Sequence, residues 1–130
     1  MNKKQFYPYI KRLYNFMLKH GYTAEPAPKI VLDKQKQRGV FVLTGYFDPE
    51  IDGIRLFVNG RHPKDILRTL AHELIHWKQQ VDGVIAESGY KGDKITEDEN
   101  LVKLEEEAFL KGNMAFRQWT ETEQRLGELE

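Results

Sequence analysis

The run from Pro63 to Val81, PKDILRTLAHELIHWKQQV, constrains the fold more than any other part of the chain. Ile66, Leu67, Leu70, Leu74, Ile75 and Trp77 recur at three- and four-residue spacing, which predicts a helix with a broad apolar face. Asp82 and Gly83 suit its end. Three polar residues, His72, Glu73 and His76, interrupt the apolar run. Side chains four apart on a helix lie one above the other, so the two imidazoles converge on one point. An unpaired polar group in a buried helix costs about 1–3 kcal/mol, so all three need partners. A metal ion serves both histidines at once, and two imidazole nitrogens suit a tetrahedral site. Glu73 projects from the neighbouring edge, where it reaches a water held by such an ion rather than the ion itself. This is the H-E-x-x-H arrangement, with the glutamate as general base.

Two histidines do not complete a metal site. A continuation with glycine three residues after His76 and histidine six after it is absent, since the chain has Gln79 and Asp82 there. Asp82 alone is a weak substitute, because the turn it would need is not favoured by Gln79. His20 ends the first predicted helix and His62 precedes the motif helix, and both read as surface or capping residues. The last helix offers a better candidate. Leu101, Leu104, Ala108, Gly112, Ala115 and Trp119 define its apolar stripe, and Glu105 falls inside that stripe. A carboxylate on a buried face must be paired or ligating. As third ligand, Glu105 also explains the small Ala108 and Gly112 one and two turns later, which let two helices approach closely. The alternatives are that Glu105 pairs with a Lys or Arg, or that Glu106 is the ligand.

The rest of the chain supplies the frame. Pro8 to His20 reads as an amphipathic helix with Ile10, Leu13, Tyr14 and Met17 on one stripe, Pro8 at its first position and Gly21 as its stop. TAEPAP is an extended linker, KIVLD a short strand, and VFVLTGYF a second strand. The turn formers DPEIDG return a third strand, IRLFV, antiparallel to the second. GVIAESGYKGDKI reads as a loop, and TEDE from Thr96 is a capping box for the last helix, which runs through Trp119. Thr120 to Glu130 is polar and either frays or continues as solvated helix. The expected fold is α+β, with a small three-stranded sheet and the whole chain, residues 1–130, forming one domain.

Charge and cysteine content exclude several functions. Twenty basic and twenty acidic residues cancel, so neither nucleic acid nor an anionic membrane surface is an expected partner. Without cysteine there is no disulfide scaffold, thiol nucleophile or thiolate metal site. No signal-peptide core or run of about 18 apolar residues is evident, so the cytoplasm is the expected location.

HELIH, residues 72–76, together with EEEAFLKG from Glu105, resembles the gluzincin group of zinc metallopeptidases. In that group H-E-x-x-H supplies two ligands and a glutamate on a later helix the third. Most of the chain is similar in layout to the small members called minigluzincins, a zincin-like fold. LFVNGRHPKDILRTLAHELIHW is also similar to the SprT-like metallopeptidases, but no histidine follows His76 to serve as their third ligand. The resemblance implies a zinc peptidase acting on a peptide or protein substrate, with His72, His76 and Glu105 as ligands and Glu73 as catalytic base. Several gluzincins carry an aspartate four residues after the ligand glutamate to hold the first histidine. This chain has Phe109, so a backbone carbonyl or Glu107 is the expected substitute. The resemblance also implies a transition-state stabiliser, for which Tyr90 is the first candidate, with Tyr46 and His62 behind it.

In this reading IRLFV pairs with an extended substrate at a sheet edge, Ile54 to Val58 form the cleft wall, and the acidic tail covers the cleft. A non-catalytic metal-binding interaction module and a metal-free binding protein are the rival functions.

Overall fold

The computed structural model describes residues 3–35, 44–84 and 99–123. In chain order these form α1 (Lys3–Lys19), β1 (Lys29–Asp33), β2 (Gly45–Asp48), β3 (Gly53–Phe57), α2 (Pro63–Val81) and α3 (Glu99–Thr122). The α+β class and the small sheet expected from the sequence are present.

The first helix starts about one turn earlier than its proline suggests. Pro8 sits inside α1 rather than at its first position. The apolar stripe extends upstream through Phe6, which is fully buried, and Tyr9. Burying a side chain of that size contributes about 1.5–3 kcal/mol. That offsets the backbone hydrogen bond Pro8 cannot donate. Ile10, Leu13 and Met17 continue the stripe into the core, while the half-buried Tyr14 donates its hydroxyl to Ala24 O at 2.9 Å.

In the sheet the strands lie in the order β1-β3-β2, with β1 parallel and β2 antiparallel to β3. The return of the third strand against the second is as expected. Its place is not: β3 is central and hydrogen-bonded on both sides, so Ile54 to Val58 have no free edge for a substrate strand. Ile54 and Leu56 are buried in the core instead. Arg55 alternates to the other face, where its guanidinium bonds Asp33 at 3.2 Å and Asp48 at 3.1 Å and ties all three strands together. Residues 40–43 of the second predicted strand lie outside the described residues.

The central element is α2, which packs against α1, α3, β2 and β3. Its bounds match the sequence expectation at both ends. His62 caps it, accepting the Lys64 N–H through Nδ1 at 3.0 Å. The half-buried Arg61 fastens that end to the sheet, donating to Thr44 O, Phe57 O, Asp65 and Thr69 Oγ1. At the far end Gly83 takes φ 82, left-handed backbone that a side chain resists. Val84 N–H then bonds Gln79 O and Gly83 N–H bonds Gln80 O, a paired closure that satisfies two terminal carbonyls. The capping box at Thr96 lies outside the described residues, and α3 runs three residues beyond Trp119. Among the described residues no helix is long and apolar enough to cross a membrane.

Candidate metal centre

Five consecutive residues in the middle of α2, Glu73 to Trp77, are buried. A helix enclosed this way on several sides exposes few polar positions, so each polar side chain within it must be explained. Trp77 donates its indole N–H to Pro26 O at 2.8 Å, and the buried Thr23 hydroxyl donates to Leu74 O at 2.8 Å. His72, Glu73 and His76 then remain, and their ligand-capable atoms lie within 4.8 Å of one another. The two imidazoles meet edge to face with centroids 4.9 Å apart.

Glu105 on α3 faces both. Its Oε1 is 2.7 Å from His72 Nε2 and its Oε2 is 2.9 Å from His76 Nε2, so one carboxylate spans the two rings. Glu105 thus pairs with the histidines rather than with a Lys or Arg. Glu106, one residue on, is exposed. The approach of the two helices depends on Gly112. A Cβ there would stand 2.9 Å from His72 Cα and 3.1 Å from His72 N, closer than packed atoms tolerate. Ala108 is fully buried in the same seam, as the spacing of small residues after Glu105 suggests.

Depth divides the cluster. His76 and Glu73 form a buried floor, 4 % and 7 % exposed, whereas the side chains of His72 and Glu105 are 25 % and 40 % exposed. Access from solvent is therefore along the His72–Glu105 side. Among the described residues Glu73 Oε2 has no hydrogen-bond partner. Burial pushes the Glu73 carboxyl up to about 7, against the pull of His76 and His72. The hydrogen-bonding contacts with His72 and His76 hold Glu105 well below the usual carboxylate range. Burial works to lower His76, but its hydrogen bond to Glu105 and the charge of Glu73 outweigh that and leave it raised.

No known family model matches the chain, and neither a curated protein nor a solved structure does. The chemistry of the site is carried by its own side chains. Two imidazole nitrogens and a carboxylate converging from two helices form a donor set suited to zinc and similar divalent ions. Beside them stands the buried Oε2 of Glu73, which has no hydrogen-bond partner among the described residues.

The other sequence candidates fall elsewhere. Tyr90 lies outside the described residues. Tyr46 stacks on Phe57 with centroids 6.0 Å apart, while its neighbour Phe47 meets Trp77 of α2. Alternation along β2 therefore turns Tyr46 to the face of the sheet away from the site. His62, as the cap of α2, stands ten residues before His72, about 15 Å along the helix axis. Asp82 ion-pairs with Lys78 at 2.6 Å, and His20 packs on Phe16. Glu107 does not hold the first histidine. It accepts from Gln79, whose amide oxygen meets Nδ1 of His76. From the sequence alone, Gln79 counts only as a departure from the glycine-containing continuation and from the turn that Asp82 would need. A polar residue three positions after a ligand histidine, on the same helix face, was the available signal.

Proposed function

We propose that the chain is a zinc-dependent metallopeptidase of the gluzincin type, acting on a peptide or protein substrate as one zincin-like domain. His72, His76 and Glu105 hold the metal, and Glu73 is the general base. The observation that carries the reading is the single Glu105 carboxylate spanning both Nε2 atoms beside the buried Glu73 oxygen, which has no hydrogen-bond partner among the described residues. Zinc bound there supplies a Lewis acid that polarises a carbonyl and brings the pKa of a coordinated water down to about 7.

The residues do the rest. Glu73 takes a proton from the attacking water and returns it to the leaving amine. Its burial raises its basicity above that of a solvated carboxylate, which suits proton transfer near neutral pH. The floor formed by Glu73 and His76 keeps bulk water from competing for that proton. The more exposed His72 and Glu105 leave one side open for an extended chain.

The test is hydrolysis of an unstructured protein such as casein by the zinc-loaded chain. Cleavage that stops on chelation and returns with zinc is the expected result. Zinc binding without cleavage of casein or of a mixed peptide library would favour the non-catalytic interaction module instead.

A further inference from the structure

Gln79 is buried, 4 % exposed, and all its polar atoms are engaged. Its amide nitrogen lies 3.0 Å from Leu104 O and 2.9 Å from Glu107 Oε1. Both of those are acceptors, so the nitrogen must face them, and turning the amide over would set oxygen against oxygen. The amide oxygen is thereby fixed toward His76 Nδ1, at 2.8 Å. An oxygen there requires that Nδ1 carry the proton. A neutral imidazole has only one N–H, so Nε2 of His76 is left with a bare lone pair. That lone pair faces Glu105 Oε2 at 2.9 Å. Two acceptors at this separation need a positive species to reconcile them, either a second proton on the ring or a metal ion.

We propose that Gln79 is a positioning residue that fixes His76 in the tautomer able to ligate through Nε2. This deepens the proposed zinc site and rests on that reading. Glu107 strengthens the effect from behind. Its carboxylate accepts from Gln79 Nε2 and from Lys111 Nζ at 3.2 Å. An amide that donates to an anion is polarised toward its oxygen and becomes the better acceptor for His76 Nδ1–H. Lys111, Glu107, Gln79 and His76 thus form one relay from the surface of α3 to the floor of the site, and it needs no aspartate after the ligand glutamate.

The proposal is tested by ring ¹⁵N–¹H correlation spectra of the zinc-free protein at pH 9, together with zinc affinity measured by competition with a chromophoric chelator. In the wild type, Nδ1 of His76 is expected to carry a proton, whether or not Nε2 holds a second one toward Glu105. Gln79→Met keeps the volume but removes the acceptor, so it is expected to lose that tautomer preference and weaken zinc binding about 10- to 100-fold. Glu107→Gln leaves Gln79 in place and keeps an acceptor for its amide, so it is expected to retain the tautomer and most of the affinity. An Nε2–H tautomer in the wild type, or a Gln79→Met protein with unchanged tautomer and affinity, overturns the proposal. A wild type that binds no zinc sinks the metal reading instead, while the tautomer spectrum still decides the role of Gln79.

Discussion

Glu73→Gln is expected to make the metal-free protein more stable and the zinc-loaded protein nearly inactive. The stability side follows from burial. In the unfolded chain Glu73 ionises near 4.5, and in the folded chain near 7. Below about pH 4.5 it is protonated in both states and contributes nothing. Between 4.5 and 7 the unfolded chain has lost the proton while the folded chain holds it. Unfolding then releases a proton, and rising pH favours the unfolded state. At about 1.4 kcal/mol per unit over the interval from 4.5 to about 7, the loss approaches about 3 kcal/mol above pH 7. Glutamine is close to isosteric and carries no charge, so it avoids this loss. Urea unfolding of wild type and variant, both stripped of metal, should give equal stability near pH 4.5 and a variant more stable by up to about 3 kcal/mol at pH 8. A variant less stable at pH 8 would mean that the ionised carboxyl has a partner after all. On the activity side, removal of a general base costs about 10²- to 10⁴-fold in kcat with zinc still bound. Stability gained on losing a catalytic group is the expected mark of a residue kept for chemistry.

Gly112→Val is expected to damage the site without touching a ligand. Even the first carbon of the new side chain would meet His72 Cα at 2.9 Å, and the atoms it meets are backbone, which cannot rotate away. The two helices must separate locally by several tenths of an ångström or more. Overpacking of this kind costs about 1–3 kcal/mol. The same displacement carries Glu105, two turns earlier on α3, away from His72 and His76, whose contacts of 2.7 and 2.9 Å leave no slack. Both a lowered melting temperature and a zinc affinity weakened at least tenfold are expected. Gly112→Ala should lie between the two in both measurements. If Gly112→Val matches the wild type in zinc affinity, Glu105 is not held in place by this seam.

Much of this was legible in the sequence because single physical constraints dominated. The bounds of α2 follow from an apolar period sustained from Ile66 to Trp77 and from the Asp82–Gly83 stop. Glu105 was legible because a carboxylate inside an apolar stripe demands a partner, and small residues followed it at one and two turns. Three features were not legible. The position of β3 in the sheet depends on a parallel pairing between β1 and β3, and pairing order leaves no trace in local alternation. The start of α1 was misplaced because the rule for Pro8 is local, whereas the burial of Phe6 is a tertiary fact. The role of Gln79 rests on its acceptors on α3, Leu104 O and Glu107, which its three-residue spacing from His76 does not reveal.

Zinc content bears most directly on the central claim. Elemental mass spectrometry on the purified wild type, Glu105→Gln and Glu106→Gln, each reconstituted and desalted under the same conditions, separates the ligand set from the rest of the helix. About one zinc per chain in the wild type and in Glu106→Gln, with most of it lost in Glu105→Gln, is the predicted result. No zinc in the wild type after reconstitution, or full retention in Glu105→Gln, would contradict it.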